Sequence, residues 1–126
     1  MTKDKDGNFV FRTQNETFLF TRESYNRHCK KHPRLNFDKY LEGVDVALVD
    51  PDHITIDPAD GQKTFYKVIN IINPRFDTYV EVWKIPTFKK GKSFNIIATA
   101  FTFWALSWQV IHSLEKTLWK KEGSLI

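Results

Sequence analysis

The chain predicts an α+β domain: an N-terminal hairpin and two helices packed on a three- to four-stranded antiparallel sheet, with an extra C-terminal helix. Three observations carry this expectation. Aromatic and polar residues alternate in NFVFRT and ETFLFT. Two stretches between residues 22 and 50 each combine a capping residue with an apolar stripe. Runs rich in β-branched and aromatic residues then follow, joined by short links.

In the hairpin, Phe9, Phe11, Phe18 and Phe20 recur with the period of two of half-buried strands, on either side of Gln14 and Asn15. Thr21 is placed to cap a helix beginning at Arg22. Along it Tyr25, His28, Cys29 and His32 fall at i, i+3, i+4 and i+7, one stripe, while Arg27, Lys30 and Lys31 point elsewhere. Pro33 ends this helix. Asn36 caps a second one, with Leu35 before it as a staple onto Tyr40. Phe37, Tyr40, Leu41, Val44 and Ala47 or Leu48 form its buried stripe, Gly43 weakens its middle, and Pro51 stops it by Asp50.

A short strand from His53 to Ile56 lies between Asp-Pro and Asp-Gly turns. KTFYKVINII (63–72), TYVEVWKI (78–85) and SFNIIATAFT (93–102) read as strands. The links NPRFD and PTFKKGK are short enough for antiparallel pairing. In the last segment Trp104, Trp108, Ile111, Leu114 or Glu115, and Leu118 keep helical spacing, which predicts an amphipathic helix over about 103–121.

The 126 residues form one expected domain, and a hydrophobic content of 41% with 15% aromatics argues against disorder. The single cysteine, Cys29, excludes an internal disulfide and any multi-cysteine zinc site. With no apolar stretch after Met1, the expected compartment is the cytoplasm. Residues 94–111 are apolar, but Asn95, Thr99, Thr102, Ser107 and Gln109 interrupt them, so no membrane span is expected. Asp50, Asp52, Asp57 and Asp60 lack the spacing of a calcium loop and are read as turn residues. Residues 22–39 carry Arg22, Arg27, Lys30, Lys31, Arg34 and Lys39 against Glu23 and Asp38, a net +4 that equals the excess of the whole chain. A solvated helix face would look like this, and so would the footprint of a phosphate-bearing partner.

HCKKH at 28–32 first invites zinc, since two histidines at i and i+4 can share a metal. Here a cysteine follows the first histidine where a zincin has glutamate, and Pro33 disturbs the helix at the second, so neither metal nor cofactor is expected. Cys29 reads as a buried thiol rather than a nucleophile, because His28, adjacent on the helix, does not face it. Metal-independent RNA cleavage needs a base, an acid, and cations or donors for the charge that builds on phosphorus oxygens. The chain offers His28, His32 and Arg34, then Tyr66 and Lys67 on one strand and Thr99 on another. Each also has a purely structural reading: a core histidine, a solvated lysine, a β-forming threonine.

His32-Pro33, then Asp50-Pro51-Asp52-His53-Ile54, then Phe65-Tyr66-Lys67, then Ile97-Ala98-Thr99-Ala100 form a familiar succession. It resembles the phage-associated barnase–EndoU–colicin–RelE-like nuclease domains over about residues 22–102. The resemblance implies a helical start on an antiparallel sheet and RNA as substrate. It also implies active residues at His28 or His32, at Lys67 and at Thr99. The N-terminal hairpin and the Trp-rich C-terminal segment are additions to that pattern. The expectation is therefore a small toxin-like or phage-encoded ribonuclease. His32 and His28 would transfer protons, Lys67 and Thr99 would stabilise the phosphate, and Arg34, Arg27 and Tyr66 would position RNA. An inhibitor or antitoxin protein and a homodimer through the C-terminal helix are the expected partners. The alternative is an inert RNA- or protein-binding module of the same fold. An active enzyme would need a histidine and Lys67 in one cleft; a binding module needs only an exposed basic face.

Overall fold

A computed structural model of the chain describes residues 1–74, 77–92 and 94–126. The elements are β1 (Thr2–Lys3), β2 (Phe9–Arg12), β3 (Thr17–Phe20), α1 (Arg22–Lys31), α2 (Phe37–Val49), β4 (His53–Ile56), β5 (Lys63–Ile72), β6 (Tyr79–Lys90), β7 (Phe94–Ile97), β8 (Phe101–Leu106) and β9 (Lys116–Lys120). The strands make one mixed sheet in the order β1-β2-β3-β7-β6-β5-β4-β9, with β8 also on β6. This corrects the expected three- to four-stranded antiparallel sheet. The N-terminal hairpin does not sit apart from the sheet. It enters it through a parallel pairing of β3 with β7, Phe18 opposite Asn95 and Leu19 opposite Ile96.

Both helices begin where the capping residues mark them. The Thr21 hydroxyl accepts from the Ser24 N–H at 3.2 Å, and the Asn36 side chain accepts from the Lys39 N–H at 3.2 Å. The main core lies between the helices and one sheet face. It joins Phe9, Phe11, Phe18 and Phe20 to Tyr40, Leu41, Val44, Ala47 and Leu48, and to Phe65, Trp83, Ile85 and Ile97. Gly43 has a packing reason: a Cβ there would stand 2.5 Å from Cζ2 of Trp83, so only glycine lets the indole lie against α2.

The expected closing helix at 103–121 is absent. The segment forms most of β8, a 3-10 turn at Ser107–Gln109, and β9 paired with β4. Two periodicities overlap here. Of the residues at helical spacing, Trp104, Trp108, Leu114 and Leu118 are exposed, at 41%, 68%, 77% and 52%, and only Ile111 and Glu115 are half-buried. Phe103 and Ala105, two apart, instead pack on the second sheet face with Tyr66, Val80, Val82, Val110 and Ile126. A homodimer through that helix therefore has no helix to use. Among the described residues no helix is long and apolar enough to cross a membrane, and residues 94–111 are strands and a turn.

The sheet centre differs as well. β6 runs on through Pro86 to Lys90 where a link was expected, and the expected strand 93–102 is broken into β7 and β8. The extension of β6 is held by its pairing with β7, and the break lies opposite Pro86. The Pro86 carbonyl accepts from the Ala98 N–H at 3.0 Å, and the missing N–H of Pro86 falls on that same side, opposite the break at residues 98–100. Arg75 and Phe76 of the expected NPRFD link, and Ser93 at the start of the expected third strand, lie outside the described residues.

Candidate functional site

A ladder of rings runs from the core to the surface. Trp83 lies 5.5 Å from Tyr40; Tyr40 stacks on His28 at 4.6 Å and 18°; His28 lies 4.7 Å from His32. The Tyr40 hydroxyl donates to the Ala100 carbonyl at 2.7 Å, which ties the helices to the β7–β8 break. Burial raises the Tyr40 pKa, and neighbouring Cys29 and Tyr25 add to this, so the phenol stays protonated and keeps donating. Tyr25 anchors the start of α1 among Phe9, Phe20 and Phe37 at 4.6–6.0 Å. Its pKa is pushed up to about 12, first by burial and then by a hydrogen bond with Cys29.

Two adjoining clefts meet at His28, His32 and Phe101. The first, about 330 Å³, is further lined by Leu35, Asn36, Lys39, Tyr40, Trp83 and Thr102. The second, about 320 Å³, is lined by Ser24, Arg27 and Lys31 of α1 and by Ala98 and Thr99 of the strand break. The second cleft has two cations and no carboxylate in its lining, so it favours an anion. Burial lowers the His28 pKa, and His32 and Lys31 lower it further, which makes the neutral, proton-accepting imidazole the prevailing form near neutrality. His32 stands exposed at the end of α1, its N–H shared between the carbonyls of His28 and Cys29.

His28, His32, Arg27 and Thr99 thus come together. Thr99 gets there because the strand breaks at residues 98–100; in an unbroken strand it would be one more ladder residue.

Lys67 does not join them. Its Nζ donates to the carbonyl of Asp50 at 2.9 Å and to Oδ2 at 3.2 Å, closing the C-terminus of α2. Lys121 reaches the other carboxylate oxygen at 3.0 Å, and these two lysines hold the Asp50 pKa below its ordinary value, Lys121 contributing more. Tyr66 lies on the opposite sheet face, as strand neighbours must, so it and Lys67 never face one cleft. Arg34 is exposed in the link between the helices, outside the lining of either cleft.

Ser24 was missed; Arg27 and Lys31, expected in the basic segment but pointing away from the histidine stripe, line the same cleft as His28 and His32, and their i, i+4 spacing around His28 signals that shared side. Tyr40, Trp83 and Thr102 carried no such local signal, because the long-range pairing of β6 with β8 and the packing of α2 bring them there.

A polar cluster on the second sheet face was missed too. Glu115 Oε1 accepts from Tyr66 at 2.6 Å and Thr55 at 2.9 Å, while Oε2 accepts from the His112 N–H at 2.8 Å. Burial pushes the Glu115 carboxyl up, but these hydrogen bonds outweigh it and hold its pKa below the ordinary carboxylate value. His53 bridges the Ile126 carbonyl oxygen at 2.9 Å and the Thr117 hydroxyl at 2.8 Å. Together these bonds pin the C-terminal segment to the sheet. Among the described residues no three His, Cys, Asp or Glu side chains converge as a metal set. Comparison with family models, curated proteins and solved structures finds no match to the chain.

Proposed function

We propose that this chain is a small, metal-independent ribonuclease of the toxin-like, phage-associated kind, acting in the cytoplasm at the cleft between α1 and the β7–β8 break. The observation that carries the reading is the convergence of His28, His32, Arg27, Lys31 and Thr99 on one basic cleft. Neutral His28 takes the proton of a 2′-hydroxyl, and the 2′-oxygen attacks the adjacent phosphorus. His32 gives a proton to the departing 5′-oxygen, leaving a 2′,3′-cyclic phosphate and a 5′-hydroxyl. Arg27, Lys31 and the Thr99 hydroxyl stabilise the charge on the non-bridging oxygens, so cations of α1 take the role expected of Lys67. An inhibitor or antitoxin protein would cover this same cleft.

A labelled RNA with a single 2′-deoxy position tests the mechanism. Cleavage is expected at ordinary positions, blocked at the substituted one, and unchanged by a chelator. Cleavage at the deoxy position, or its loss with chelator, would exclude it.

A second reading, an inert RNA-binding module, is favoured by two observations: Lys67 is bound to Asp50, and both imidazoles stand on one helix rather than on opposite sides of the cleft. Tight RNA binding with no cleavage would select it.

A further inference from the structure

We infer that the cleft floored by Tyr40 and Trp83 holds one unpaired nucleobase, which makes the site selective for single-stranded RNA. This inference rests on reading the adjoining basic cleft as an RNA site. A nucleotide is a planar, largely apolar base joined through a sugar to an anion. The two clefts repeat that division: one has an aromatic floor, the other has Arg27 and Lys31, and they meet at the two histidines. A base next to the phosphate held at Arg27 and Lys31 has this lobe as its adjoining apolar space. Its volume, about 330 Å³, suits one base and not a base pair. A paired base would have to leave its stack to enter, which is the usual ground on which proteins prefer single strands. The rim also offers polar groups. The Asn36 side-chain oxygen caps α2, so its NH₂ is the group left for a base edge, and the Thr102 hydroxyl lies on exposed strand β8.

The test compares two probes of equal length and charge: a 2′-O-methyl hexanucleotide, which resists cleavage, and the same backbone without bases. The intact chain should bind the base-free probe about fivefold to 150-fold more weakly, the range for losing one stacked base. Thr102→Tyr should abolish most of that difference, because a tyrosine at this exposed strand position fills the lobe while every core side chain is kept. A melting curve checks that the variant is folded; should it not fold, the comparison of the two probes on the unaltered chain still decides. Equal binding of both probes overturns the base lobe while leaving the RNA reading intact. Binding of neither overturns both. A base-dependent difference that survives intact in folded Thr102→Tyr puts the base elsewhere and overturns the inference.

Discussion

The two helices are neighbours in sequence, capped alike, and opposite in burial. α2 buries Tyr40, Leu41, Val44, Ala47 and Leu48, and at roughly 1.5–3 kcal/mol for each large side chain it is a main support of the fold. α1 has no fully buried residue; Tyr25 and His28, half-buried, tie it to the rings around them. Yet α1 carries His28, His32, Arg27 and Lys31. The helix that holds the fold and the helix that presents the chemistry are separate, and the stacked pair His28–Tyr40 joins them. Side chains on a lightly anchored helix are free to differ without cost to the core, and such segments lie at the low-stability end of a domain.

The largest expected effect falls on α1 and on rate. His28→Ala and His32→Ala should each reduce RNA cleavage by about 10²- to 10⁴-fold, with His32→Ala leaving the melting temperature unchanged because the side chain is exposed. Undiminished cleavage by both variants would leave the mechanism without a base or an acid. On α2 the cost should fall on stability instead. Leu48→Ala should lose about 2–5 kcal/mol in chemical denaturation while cleaving normally where folded. A rate defect there would erase the division of labour.

Gly43→Ala tests how firmly α2 and the sheet are fitted. Alanine gains about 1 kcal/mol of helix propensity, but its Cβ would meet Trp83 at 2.5 Å, and crowding of that kind costs about 1–3 kcal/mol. A net loss in denaturation is expected; a net gain would show that the indole yields easily. Thr21→Ala, which removes the cap of α1, should cost about 1 kcal/mol.

The smallest effect is in pH. His28 has a folded pKa below its ordinary 6.5, so the folded state binds its proton less readily than the unfolded one. The corresponding stability is fully present above pH 6.5 and is lost as pH falls from there through the folded value. His28→Gln should therefore flatten the fall in melting temperature below pH 6.5. An unchanged pH profile would mean that the stacked imidazole titrates as if free.

The same contrast explains what was legible in the sequence. Local chemistry was: Thr21 and Asn36 cap where expected, because capping depends on residues three positions apart. The alternation of Tyr66 and Lys67 along one strand already forbade a shared cleft. Long-range pairing was not legible. Nothing near Phe18 announces Asn95, and nothing in KTLWK announces β4. The segment from Trp104 to Leu118 misled because apolar residues in it satisfy a helical period, while most of those are exposed and its strands pair with partners far away in sequence. Of the α1 half of the site, the helical stripe gave His28 and His32 but turned Arg27 and Lys31 away from the cleft that they line. The other half depends on a strand break that Pro86, a strand away, accommodates.

The parallel union of β3 with β7 also has a consequence in time. In a chain leaving the ribosome the aromatic hairpin and both helical segments emerge long before residues 94–97 exist, and β7 must slot between β3 and β6 to join the two halves of the sheet. Until then Phe18 and Leu19 line an open strand edge. Pairings so distant in sequence are the slow ones, because the intervening loop must close before any contact rewards it. Folding of this domain should therefore be a late event in synthesis, gated by four residues, with the unfinished hairpin as the surface that chaperones and aggregation compete for.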